Sequence, residues 1–290
     1  MKRNKGSTLE GDVIIEEPPK KPKSKNLEGM GEIHPNLPQI PFYVGVIGPR
    51  HSGKTVLLYN LLGPREGMYG AAFRKNNIVL YSPTKDKDPT LNELKLTNVY
   101  GPQDDPEWLI ADILKKQEAY DASDNRTGVL ITLDDITQIR DAWRPLESLS
   151  YTGRHSHLHV LYVSHKMSSI PRGVRTQTQQ WIIFQPHEQS EKEWVLKMFG
   201  DKHTWMVWQR ALHRCWSKDF NFAYIDFERK EPEDIYRSGF NDPLFTPEEI
   251  GIITGNGIFD NRGYGTPGIM DENEIVEEEP KRKRRKTQTH

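Results

Sequence analysis

The chain has 290 residues, 35% of them hydrophobic and 28% charged, with 20 prolines and a net charge of −1. That length allows one large α/β domain or one domain with long tails, and the low apolar content places part of the chain outside any core. The charge balance excludes a uniformly basic DNA-coating protein, though not a local basic channel. The single cysteine, Cys215, excludes an intrachain disulfide and a cysteine-held zinc, and fits a reducing compartment. There is no apolar run of about 18 residues, and the charged N-terminus lacks the apolar stretch of a signal peptide. The expectation is a chain that neither spans a membrane nor is secreted by that route.

Residues 1–37 read as a disordered arm rich in Lys, Glu, Pro and Gly, with Pro35 keeping its end extended. The run Phe42-Tyr43-Val44-Gly45-Val46-Ile47 predicts a buried strand. Val56 to Leu62, stopped by Gly63-Pro64, predicts a helix. Between them Gly48-Pro49-Arg50-His51-Ser52-Gly53-Lys54-Thr55 reads G-x-x-x-x-G-K-T, the phosphate-binding loop, in the strand–loop–helix setting it requires. Gly48 and Gly53 let successive amides turn inward around phosphate oxygens, and the helix N-terminus adds its positive dipole end. Lys54 is expected on the β- and γ-phosphates and the Thr55 hydroxyl on Mg²⁺, with ATP as the nucleotide.

Asn77 to Thr84 predicts a second strand ending in a turn, and Asn98-Val99-Tyr100 a short one. Asp105-Pro106-Glu107 resembles a capped helix start, followed by an amphipathic face of Trp108, Ile110, Ile113 and Leu114 running to about Tyr120. Gly128 to Leu133 is an apolar strand ending in two acids. Asp134 is the expected magnesium ligand, and Asp135 the candidate base that orients and activates the attacking water. A helix is expected from Pro145 to Leu149. A strand from His159 to His165 follows, whose polar end reaches the γ-phosphate or the water. After a loop at 168–175, Gln180 to Gln185 is the last core strand. The fold class is α/β, a mostly parallel sheet with helices on both faces, of the phosphate-loop type with an additional strand between the two motifs.

These residues resemble the genome-packaging ATPases of the poxvirus and large-DNA-virus type, within the HerA–FtsK superfamily of DNA-pumping motors. The resemblance covers roughly residues 40–190 and rests on Gly48–Thr55, on Asp134-Asp135, on Gly153-Arg154-His155, and on the block Val163-Ser164-His165, Ile170-Pro171, Arg175 and Ile182-Ile183-Phe184. Two positions depart from the family pattern. The second acid is the shorter Asp135, and His165 stands where the family has Gln after Ser. A neutral histidine donates only one hydrogen bond, so its role as γ-phosphate sensor differs from that of Gln. The resemblance implies ATP-driven translocation of DNA into a capsid by a homo-oligomeric ring, hexameric or pentameric, with capsid proteins as further partners; double-stranded DNA is the first reading and the single-stranded form stays open. It also implies an arginine supplied by a neighbouring subunit. Arg154 and Arg175 are the candidates, with Arg172 behind them.

The C-terminal third is less specific. Glu193 to Phe199 predicts a helix stopped by Gly200; Leu212–Trp216 and Phe220–Phe227 alternate like an edge hairpin. Trp205, Trp208 and Trp216 are read as packing residues rather than base-stacking ones. His155, His157 and His159 alternate as if on one strand face, a conceivable zinc site without a fourth ligand. The ATPase core is placed at 38–230, a loop-rich extension at 231–270, and a disordered acidic and basic tail at 271–290. The run Lys281-Arg282-Lys283-Arg284-Arg285-Lys286 reads as a nuclear-import or nucleic-acid-binding segment, which places the protein in the host nucleus or at the virion assembly site. Three other readings stay open: a phosphate-loop kinase acting on a small molecule, a nucleotide-binding scaffold without turnover, and a cellular or plasmid conjugation-type DNA pump.

Overall fold

The computed structural model of the chain describes residues 31–105, 108–115, 128–135, 143–153 and 157–255. Residues 1–30 of the N-terminal arm, Arg154, His155 and the tail after 255 lie outside them; the arm's last residues, 31–37, are described and end on a buried Leu37. Among the described residues nine strands form one sheet: β1 (Tyr43–Ile47), β2 (Ile78–Tyr81), β3 (Asn98–Tyr100), β4 (Val129–Leu133), β5 (Leu158–Ser164), β6 (Gln180–Phe184), β7 (Phe222–Asp226), β8 (Tyr236–Ser238) and β9 (Asp242–Pro243). Their order is β3-β2-β4-β5-β1-β6-β7-β8-β9. The first six in that order are parallel, and β7, β8 and β9 add antiparallel pairs at one side. β5 lies between β1 and β4, so an additional strand does separate the glycine loop from the paired acids.

The central strands are buried along their whole length: all five residues of β1, seven of β5 and five of β6. Because strand side chains alternate, one run serves two cores. Tyr43, Val160, Tyr162, Trp181 and Ile183 face one core, and Val44, Val46, Leu161, Val163, Ile182 and Phe184 the other. Gly45 is the exception that makes room. A Cβ there would sit 2.7 Å from Tyr162 Oη and 2.8 Å from the Trp181 ring. Helix Lys54–Leu62 covers the second core with Leu57, Leu58, Leu61 and Leu62. Helices Gln189–Phe199 and Trp205–Trp216 cover the first with Val195, Phe199, Trp208, Ala211 and Leu212.

Several expectations are corrected here. Leu212–Trp216 is not a strand but the end of helix Trp205–Trp216. Its buried residues Val207, Trp208, Ala211, Leu212 and Cys215 recur every three or four positions, and five residues were too short a window to show that period. β7 pairs with β6 instead, Phe222 opposite Phe184. The core does not stop at 230, because β8, β9 and helix Pro247–Gly255 continue it. Trp108 is exposed while Leu109, Ile110 and Ile113 are buried. Trp208 is buried, and Trp216 donates from Nε1 to the Ile183 carbonyl at 3.0 Å. The histidine alternation also fails. β5 begins at Leu158, His157 precedes it in a left-handed turn (φ 51°), and His159 is sealed against the rings of Phe42 and Phe73. No group of three or more metal-ligating side chains occurs among the described residues.

Candidate active site

Parallel strands bring their C-terminal ends to one edge, where α/β sheets hold their ligands. At that edge Ile47 of β1 lies level with Ser164 of β5, and Leu133 of β4 level with Tyr162. The chain leaves β1 into the glycine loop, whose first amide, Gly48 N–H, donates to the Ser164 carbonyl at 3.1 Å. Gly48 has no room for a side chain: a Cβ would meet Ser52 Oγ at 2.6 Å and Phe184 Cβ at 2.8 Å. His51 (φ 61°) and Gly53 (φ 102°) both take the left-handed conformation, which turns the loop into the helix. Leu57 N–H then closes the first helical turn on the Gly53 carbonyl at 2.9 Å. Ser52 Oγ is buried without a hydrogen-bond partner among the described residues. Pro49 and Thr55 are half-buried, and Arg50 and His51 are exposed.

Lys54 folds back over its own loop, donating from Nζ to the carbonyls of Gly48 at 2.7 Å and Pro49 at 2.6 Å. Burial lowers its pKa from 10.5 to about 8, and the nearby carboxylates of Asp134 and Asp135 oppose that shift. Asp134 ends β4 almost buried, and its backbone N–H donates to the Tyr81 carbonyl at 2.8 Å. Its Oδ2 accepts from Ser82 Oγ at 2.9 Å. Burial raises the Asp134 pKa. The Ser82 hydrogen bond and the Lys54 charge work against that rise, while Asp135 and Asp88 add to it.

Asp135 follows in the left-handed region at φ 47°, a conformation aspartate tolerates better than most residues. Its Oδ1 lies 3.0 Å from His165 Nε2, and His165 Nδ1 lies 3.4 Å from the Gly48 carbonyl oxygen. Both partners are acceptors, so a neutral ring with one N–H satisfies only one of them at a time. The departure at position 165 thus places a group that bridges the second acid and the glycine loop.

Arg175 sits in helix Arg172–Gln177. Its Nη1 donates to the Ile170 carbonyl at 2.7 Å, and its guanidinium lies 5.1 Å from the centre of the Trp194 ring. Arg172 is exposed. Two residues that hold the candidate site residues and their loop in place carry little mark in the sequence. Ser82, fully buried just past β2, orients Asp134; its only signal was a polar residue ending an apolar strand. Glu191 takes Met167 N–H at 2.9 Å and Ser168 Oγ, and so anchors the loop that follows His165. Nothing in its helical context marked it.

The residues suit the groups the motif implies. Thr55 and Asp134 offer hard oxygen donors of the kind magnesium takes. A buried acid crowded by two further carboxylates is also a place where a divalent cation relieves repulsion. No family model and no curated protein matches the chain. Solved structures do. The DNA-packaging ATPase B204 from Sulfolobus Turreted Icosahedral Virus is 13% identical over 63% of this chain and 91% of its own, with a TM-score of 0.47. B204 from Sulfolobus turreted icosahedral virus 2, in complex with AMPPCP, is 16% identical over 64% of this chain and 92% of its own, at 0.44. EssC (ATPases 2 and 3) from Geobacillus thermodenitrificans is 13% identical over 56% of this chain, at 0.44; the match spans 35% of the EssC chain.

Proposed function

We propose that this chain is a magnesium-dependent ATPase that drives DNA translocation, in the setting of viral genome packaging. The observation that carries the ATPase reading is the convergence at one sheet edge of the glycine loop, Lys54, Ser82-held Asp134, and the Asp135–His165 pair. The loop amides cradle the phosphates, and Lys54 exchanges the carbonyls of Gly48 and Pro49 for β- and γ-phosphate oxygens. Thr55 and Asp134 hold the magnesium, which supplies charge neutralisation at those phosphates. Asp135 orients the attacking water and accepts its proton, while His165 fixes the carboxylate against the loop.

The packaging setting rests on the sequence resemblance through Gly153-Arg154-His155 and the block from Val163 to Phe184. In that reading a ring of subunits acts on double-stranded DNA and a capsid, and Arg154 or Arg175 completes a neighbour's site. The basic run 281–286 directs the chain to the nucleus or binds nucleic acid. The test is ATP hydrolysis by the full chain with and without double-stranded DNA. Stimulation by DNA supports the motor. Turnover indifferent to DNA, with phosphate passed to a small acceptor, favours the kinase.

A further inference from the structure

The turn that joins helix Trp205–Trp216 to β7 holds a side chain that folding does not account for. Phe220 is 71% exposed and sits in the left-handed region at φ 58°, where a phenylalanine is strained. Its exposure forgoes burial and its backbone costs strain, and such outliers gather where a ligand uses them. The turn is braced beneath it. Asn221 N–H donates to the Lys218 carbonyl at 3.2 Å, and Asn221 Nδ2 donates to the Cys215 carbonyl at 3.0 Å and to Ser238 Oγ at 2.8 Å.

The position of the turn follows from the sheet. β7 runs antiparallel to β6 and starts opposite its end, Phe222 level with Phe184, so the turn lies at the same edge as the glycine loop. A Cβ placed on Gly53 would lie 3.4 Å from Phe220 Cδ1 and 3.6 Å from Phe184 Cε1. The Phe220 ring therefore lies against the start of helix Lys54–Leu62, with Phe184 beside it. Three positions on, one turn along that helix, Val56 is 57% exposed, a second open apolar side chain at the same helix end.

We infer that Phe220 is the platform for the nucleobase of the nucleotide whose phosphates occupy Gly48–Thr55, with Val56 flanking it. The inference rests on the phosphate-loop reading. Once Lys54 is directed at the terminal phosphates, the nucleoside end leaves over the first helical turn, where these two side chains stand. An exposed ring on a braced turn offers a flat face at little ordering cost, and aromatic stacking on a base tolerates any base while gaining most from the larger purines.

The test compares MgATP with magnesium tripolyphosphate, which has the phosphates and no base, by calorimetric titration of the full chain. Phe220→Ala is expected to weaken MgATP binding about five-fold or more while leaving tripolyphosphate binding unchanged. Phe220→Trp is expected to keep MgATP binding. Unchanged MgATP affinity in Phe220→Ala overturns the inference. So does an equal loss for both ligands, which makes Phe220 a support of the loop instead. Lys54→Ala separates the underlying reading: if it leaves both ligands bound as before, the phosphate site itself is wrong.

Discussion

His159 offers a stability test worked directly from its surroundings. It is 1% exposed on β5, its ring lies 5.3 Å from those of Phe42 and Phe73, and neither ring nitrogen has a partner among the described residues. Burial, with a smaller contribution from His157, lowers its pKa from 6.5 to about 3. Between those values the unfolded chain binds a proton that the folded chain refuses, so stability falls as pH drops below 6.5 and is level above it. At about two units below the free value, near pH 4.5, the loss comes to about 3 kcal/mol. His159→Phe removes both the proton-linked loss and two unsatisfied nitrogens. Urea unfolding of the two proteins at pH 7 and near pH 4.5 gives the comparison, because every other titration is common to both and cancels. The variant is expected to be at least as stable at pH 7 and to lose about 3 kcal/mol less on acidification. An equal acid loss in both proteins would refute the reasoning.

Other outcomes follow from neighbouring contacts. Ser82→Ala leaves Asp134 without its hydrogen bond, and the magnesium concentration for half-maximal hydrolysis is expected to rise about ten- to a hundredfold; an unchanged requirement contradicts the positioning role. Arg214 Nη1 donates to Glu249 Oε1 at 2.9 Å, tying helix Pro247–Gly255 to helix Trp205–Trp216, and this bond holds the Glu249 pKa below 4.5. The contribution is present above pH 4.5 and lost as pH falls through the lowered value. Glu249→Ala is therefore expected to cost about 1–3 kcal/mol at pH 7 in urea unfolding, and progressively less in acid. A cost that does not shrink in acid assigns the loss to packing. Leu58, fully buried under β1, is expected to cost about 2–5 kcal/mol on substitution by alanine, read from the same unfolding curves.

What was legible in the sequence is what short range encodes. A fully buried parallel strand is a continuous apolar run, so β1, β2, β4, β5 and β6 stand out. The glycine loop carries its own chemistry, and the acids at the end of β4 follow an apolar run. Helix Trp205–Trp216 was misread in part because Leu212, Arg214 and Trp216 alternate, and only the longer spacing of Val207, Trp208, Ala211 and Cys215 reveals the helix. Contacts across strands left no local mark. Ser82 meets Asp134 because β2 pairs with β4; His165 meets Asp135 because β4 pairs with β5; Phe220 reaches Gly53 because β7 folds back beside β6. Each pairing joins residues distant in the chain, which periodicity cannot register. The histidine alternation failed for a similar reason: β5 begins at Leu158, which leaves His157 in the turn before the strand and only His159 on it.

Phosphate release from MgATP by the full chain, beside Lys54→Ala and Asp135→Asn, tests the central claim most directly. The expected result is turnover by the native chain, none by either variant, and retained MgATP binding in Asp135→Asn, because that acid serves the water and not the phosphates. Turnover that survives in both variants, or a native chain that binds MgATP without releasing phosphate, would contradict it.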